Sequence, residues 1–232
     1  MENMMYVIWK DPEISPKEYK DEFLAGPAKE LRALDPAKLS LSFADEQIEF
    51  ALDSRFTSMD NPIAGMVSLW LDTHLNRAPF EEIIRANTLS YSAYLILESM
   101  PIVNTEQVAP LGERTPGLNT VGFLKKPQRL TYDEWIAIWQ GSHTQVAFDT
   151  QCTFMYTQNV VVRALTEDAE PWTAIVEEGF PEEALRDPLV FYAADGDEAV
   201  LAKNAKAMVE SCARFIDFPE LESHRFSEYN LK

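Results

Sequence analysis

Three histidines, His74, His143 and His224, hold the readiest acid–base chemistry in this chain. An imidazole titrates near neutrality, so it can take and return a proton at physiological pH. His143 has the most informative setting, TYDEWIAIWQGSHTQVAFDTQ from Thr131 to Gln151. At 100° per residue Tyr132, Trp135, Ile136, Trp139, His143 and Val146 share one apolar arc, while Asp133, Glu134, Gln140 and Gln145 lie outside it. His143 therefore faces the interior, one turn from Trp139 and two from Trp135, where a flat apolar substrate could stack. The competing reading is a core histidine donating to a backbone carbonyl.

Other candidates follow from the strand Thr153 to Leu165. Its two-residue period places Tyr156 and Gln158 on one face and Thr157 and Asn159 on the other. A Tyr156 turned toward the helices could orient a substrate oxygen or stabilise a developing enolate; a core-filling aromatic is the plainer alternative. Asn159 is a weaker substrate-binding candidate. Asp217, just past the last helix, could orient the imidazole, although a carboxylate there is more often solvated. His224 is the rival base, and His74, in D-T-H-L-N, reads as an exposed turn residue. The histidines are too scattered for a local zinc motif, and no H-E-x-x-H occurs. G-x-G-x-x-G, G-x-x-x-x-G-K-[ST] and G-x-S-x-G are also missing. No cofactor and no metal are expected.

The elements that must position these residues fit a chain of 232 residues, 46% hydrophobic, enough for one large or two small cores. A formal charge of −18, from 20 Lys+Arg against 38 Asp+Glu, argues against nucleic acid and anionic membrane partners and otherwise reads as a solubility charge. Cys152 and Cys212 lack metal or redox spacing and read as buried thiols, which suits a cytoplasmic location. No stretch approaches the ~18 apolar residues of a membrane span.

Strands are expected at 4–10, 39–49, 64–72 and 91–102, with helices at 15–34, interrupted by Gly26-Pro27, and at 79–87. Residues 53–62 read as a polar loop. After a Pro- and Gly-rich connection the order repeats: strand 119–126, helix 131–151, strands 153–165 and 172–178, a short helical insert within 181–193, helix 197–216 and strand 222–229. The last helix shows Leu201, Ala205, Met208, Val209, Cys212 and Ile216 on one face. Each half begins its first helix with a capping-box pattern, S-P-K-E at Ser15 and T-Y-D-E at Thr131. Shifting by about 116 positions lays Thr131 on Ser15, Glu134 on Glu18, Trp135 on Tyr19 and Trp139 on Phe23. Pro27 falls where the second half has His143.

The expected fold is α+β: two ferredoxin-like βαββαβ repeats packed sheet to sheet as an intramolecular dimeric α+β barrel. The N-terminal repeat spans 1–104, a linker 105–118, and the C-terminal repeat, with the site, 119–232. A homodimer of such chains is left open.

The entry G-F-L-K-K-P, the T-Y-D-E-W…W…H helix from Thr131 to His143, Y-T-Q-N at Tyr156–Asn159 and R-F-I-D at Arg214–Asp217 resemble the EthD family of the dimeric α+β barrel superfamily. The resemblance covers 119–232 and reaches 4–104 only in element order. It implies a small cofactor-free enzyme or accessory protein, with a histidine usual at the position of His143. The expected function is accordingly a cofactor-independent lyase or isomerase, of dehydratase or decarboxylase type, using His143 on a small aromatic or polyketide-like substrate. The alternatives are a cofactor-free or haem-dependent monooxygenase, and a non-catalytic small-molecule-binding protein.

Overall fold

The computed structural model describes residues 1–232, apart from the side chains of residues 52–54. Its strands are β1 (Glu2–Trp9), β2 (Lys38–Phe43), β3 (Gly65–Leu71), β4 (Ser90–Ile102), β5 (Leu118–Leu124), β6 (Met155–Ala164), β7 (Ala174–Phe180) and β8 (Glu222–Asn230). They close into a barrel in the order β1-β3-β2-β8-β5-β7-β6-β4, and every neighbouring pair is antiparallel. The seams are β2 to β8, where Ser40 faces Asn230, and β4 to β6, where Leu97 faces Val160. Closure leaves no strand with an unpaired edge.

Alternation along each strand divides inside from outside. In β1, Met4, Tyr6 and Ile8 point outward beneath α1 (Pro16–Ala25), α2 (Pro27–Ala33) and α3 (Ala78–Ala86), meeting Tyr19, Phe23, Leu31, Phe80 and Ile84. Met5 and Val7 point into the lumen with Tyr94, Phe123, Trp172 and Phe226. Over the C-terminal strands lie α4 (Tyr132–Ile136), a π-helical segment (Ala137–His143), α5 (Thr144–Thr150), α6 (Pro188–Phe191) and α7 (Glu198–Ala213).

Gly26 separates α1 from α2, as the Gly-Pro pair predicts. Three expectations are revised. The strand expected at 39–49 stops at Phe43, because buried Asp45 turns in to accept from the hydroxyls of Ser227 and Tyr229, each at 2.8 Å. The loop expected at 53–62 begins inside a 3₁₀ turn, Glu49–Ser54, and Phe56 bridges to Ser223; the side chains of residues 53 and 54 lie outside the described residues. On α7 the buried positions are Asn204, Met208 and Ser211, while Val209 is exposed. Asn204 can be buried because it donates to the Tyr192 carbonyl at 2.8 Å, and a satisfied polar group carries little burial penalty. No helix among the described residues is long and apolar enough to cross a membrane.

Candidate active site

The helix carrying His143 starts as its sequence dictates. Thr131 accepts from the Glu134 N–H while the Glu134 carboxylate accepts from the Thr131 N–H, a complete capping box. It then departs from an ideal helix. The π turn over Ala137–His143 widens the spiral, so residues four apart stay in line instead of drifting sideways. Trp135, Trp139 and His143 are thereby all buried, and Tyr132, expected in the same arc, is exposed. Trp135 donates its indole N–H to the Phe215 carbonyl at 3.1 Å. Each fully buried indole contributes on the order of 4–6 kcal/mol of gross transfer free energy.

The surroundings of His143 are closed. The ring is 5% exposed, Nδ1 is 2.9 Å from the Ser211 hydroxyl on α7, and Phe215 lies 4.6 Å away between ring centroids. Burial lowers its pKa to about 4, helped by the charge of Arg214, so the imidazole is neutral throughout the physiological range. These are the properties of a satisfied core histidine. A haem beside it would need the volume that Trp135, Trp139 and Phe215 fill, so the residues present do not fit that group at His143.

A different set of polar side chains gathers on the sheet beneath the helices. The pairings Tyr156↔Glu178, Thr120↔Glu178 and Thr120↔Arg225 put Tyr156, Glu178, Thr120 and Arg225 in one row across β6, β7, β5 and β8. Directly opposed residues of an antiparallel pair share a face. Tyr156 packs with Ala147 of α5 and Met208 of α7, so the row lies on the helix-covered face. Burial pushes Glu178 up to about 7, with Arg225 opposing, and holds Arg225 below its ordinary value, with Glu178 opposing. Burial raises the Tyr156 phenol, and the Glu178 charge adds to this. Burial also raises Cys212, to about 12, again with a contribution from Glu178. Thr120 is buried and its hydroxyl has no hydrogen-bond partner among the described residues. The row thus presents an acid–base group poised near neutrality, a phenol, a guanidinium and a free hydroxyl.

Of the residues singled out from sequence, Trp135, Trp139 and His143 meet around Phe215, and Tyr156 joins the neighbouring cluster. Asn159 is on the opposite face of the sheet, donating to Glu177 at 2.9 Å inside the barrel. Asp217 points outward to pair with Arg129; the partner of the imidazole is Ser211. His224 is in the lumen, 3.2 Å from Glu222 and stacked on Phe226. Burial opposes ionisation of Glu222, but hydrogen bonds from His224 and Ser58 hold it down to about 2. His74, read as an exposed turn residue, is in a short 3₁₀ turn, 2.7 Å from Glu2 and 2.7 Å from Arg163. Cys152 and Cys212 are both free and partly buried. Glu178 was missed, although a signal existed. In A-I-V-E-E-G-F the period of two puts Glu178 with Val176 and Phe180, so one of the two adjacent glutamates had to enter each buried face.

The fold is a mixed α/β one, an eight-stranded antiparallel barrel with helices packed on its outside. No family model matches the sequence, and no curated protein matches it either. Among solved structures the chain resembles an "anthrone oxidase-like protein", with TM-score 0.56 and 11% identity over 99% of this chain and 92% of the other. It also resembles a dye-decolorizing peroxidase from Bacteroides thetaiotaomicron, with TM-score 0.51 and 9% identity over 99% and 93%. The lyase or isomerase expected from sequence is therefore corrected: these fold relatives bear oxidase and peroxidase names. His143, expected as the acid–base group, faces the interior as the periodicity predicts, and burial there holds its pKa at about 4.

Proposed function

We propose that the chain is a cofactor-independent oxidase or monooxygenase of a small aromatic substrate with an acidic C–H, such as an anthrone. The row Tyr156–Glu178–Thr120–Arg225 is its reaction centre, and the observation that carries this is the half-buried Glu178 carboxyl, held near 7 beside an unpaired Thr120 hydroxyl. A general base is most effective when it titrates near the working pH. Glu178 removes a proton from the activated methylene, and the carbanion passes its electrons to O₂. The C–O bond that forms gives a hydroperoxide. Loss of the second C–H proton then breaks the O–O bond, so a CH₂ and O₂ become a C=O and water. Tyr156 and Arg225 stabilise the enolate oxygen as charge develops, the role of oriented donors in a desolvated site.

The fold likeness to the anthrone oxidase-like protein over nearly the whole chain supports this reading. It is tested by oxygen consumption with anthrone. Wild type should take up one O₂ per ketone formed, and Glu178→Gln should be slower by about 10²–10⁴. A variant as fast as wild type sinks the assignment. A binding role without turnover is the second reading, favoured by the closed environment of His143; saturable anthrone binding with no oxygen uptake would select it.

The barrel is two ferredoxin-like repeats, 1–104 and 119–232 joined by 105–118, and the strand orders β4-β1-β3-β2 and β8-β5-β7-β6 support it. Membership of the EthD family rests on the T-Y-D-E-W…W…H motif, and assembly of two chains into a homodimer rests on the superfamily likeness.

A further inference from the structure

The lumen of the barrel is apolar at one end, where Tyr94, Phe123, Trp172 and Phe226 fill it. At the other end it is polar and hollow. A cavity of about 140 Å³ is lined there by Asn3, Lys38, Glu98, Glu177, Glu228 and Trp70, among others. Cavities of roughly 150 Å³ hold guests of about six heavy atoms.

Three carboxylates, Glu98, Glu177 and Glu228, share the lining with two lysines, Lys38 and Lys232, and with the polar side chains of Ser40, Ser68, Thr157 and Asn230. Glu177 accepts from Asn119 at 3.0 Å and from Asn159 at 2.9 Å, Glu98 from Asn3 at 3.4 Å, and Glu228 from Thr115 at 2.9 Å. In giving their N–H groups to carboxylates, Asn3, Asn119 and Asn159 each leave the side-chain carbonyl oxygen buried and without a partner. Asn3, 5% exposed, lines the cavity itself. No ion pair neutralises Glu98, Glu177 or Glu228 among the described residues. Of the two lysines at the cavity, Lys38 lies over the Trp70 ring at 4.9 Å and its charge partly offsets the burial of Glu98, and Lys232 pairs with Asp35. Burial raises all three carboxyls. Glu177 reaches about 7, pushed further by the charges of Glu228 and Glu98 and relieved by Asn119 and Asn159. Buried acceptors with neither charge nor donor are costly, so the cavity is shaped for something that brings both.

We propose that the polar end of the barrel lumen binds a small aliphatic ammonium ion, held by Glu98, Glu177 and Glu228 and by the unpaired carbonyl oxygen of Asn3. An anion would be opposed by three carboxylates against two lysines that already have other partners. A metal ion lacks a ligand set, because no group of three His, Cys, Asp or Glu among the described residues is placed to hold one. An ammonium group brings three N–H donors and a full charge. The site is on the face of the sheet opposite Glu178 and stands independently of the proposed oxidation.

The test is calorimetric titration of the full-length protein with 1,4-diaminobutane, beside 1,4-butanediol as its neutral counterpart, at pH 7 in two buffers of different ionisation enthalpy. The diamine should bind saturably at one site and release protons to the buffer as Glu177 ionises, and the diol should not bind. Glu177→Gln should weaken binding at least about tenfold. Glu98→Gln, a change at a partly exposed position, should do the same and keeps the test decisive if the first variant does not fold. The proposal is overturned by no diamine binding at millimolar concentration, by equal binding of the diol, by variants that bind like wild type, or by displacement of the diamine with stoichiometric Mg²⁺ or Ca²⁺.

Discussion

Replacing Glu178 by Gln should make the protein more stable, and only above a definite pH. The Glu178 carboxyl is pushed by burial from its ordinary 4.5 up to about 7, although the charge of Arg225 works the other way. Below 4.5 folded and unfolded chains both hold the proton, and the substitution exchanges one neutral group for another of similar shape. Between 4.5 and about 7 the unfolded chain releases the proton while the folded chain retains it, so stability falls as the pH rises. Above about 7 the loss is complete. At about 1.4 kcal/mol for each pH unit, that interval makes the half-buried carboxylate cost about 3 kcal/mol. Gln never ionises and escapes the cost. Urea unfolding of wild type and Glu178→Gln at pH 5 and pH 8 measures it, and the difference between the two proteins isolates Glu178 from Glu177, which titrates in the same range. The variant should match wild type within about 1 kcal/mol at pH 5 and exceed it by about 2–3 kcal/mol at pH 8. An effect independent of pH, or a larger loss at pH 8 than at pH 5, would refute the reasoning.

Two further substitutions probe the scaffold. His143→Ala removes a ring packed on Phe215 and strands the Ser211 hydroxyl, so unfolding should cost about 2–4 kcal/mol less, while oxygen uptake per folded molecule stays within a few-fold of wild type. A loss of 10² or more in turnover with unchanged stability would restore the histidine to a catalytic role. A Cβ at Gly65 would sit 2.1 Å from the Ser42 carbonyl, so Gly65→Ala must part β2 from β3 and should destabilise the protein by about 1–3 kcal/mol in the same urea assay.

How much of this was legible in the sequence differs between the fold and the site. The strands announce themselves by alternation, the first helix by its Ser15 cap and Gly26-Pro27 break, and the His143 helix by its capping box, because each signal comes from backbone chemistry within a few residues. The site does not, because it is assembled across strands. Tyr156 and Glu178 are neighbours only through the β6–β7 register, and Thr120 and Arg225 only through β5–β8. An inward histidine is visible to periodicity, but its closure by Ser211 and Phe215 comes from another helix. The burial of Asn204 and Ser211 on α7 was hidden for a related reason: their polarity is cancelled by partners that hydrophobic patterning does not include.

The β2–β8 seam carries a consequence for how the protein comes to be folded. It joins Ser40 to Asn230, contacts that exist only after almost the entire chain has been made and every intervening element is in place. Pairings so distant in sequence are slow to form, since the entropy of closing the loop precedes any reward. Until then β2 and β8 remain open strand edges flanked by a half-built apolar lumen, the kind of surface that captures other chains. The finished barrel has no such edge, so its vulnerability to aggregation belongs to the interval between synthesis and closure, and dilution or a chaperone would help in that interval alone.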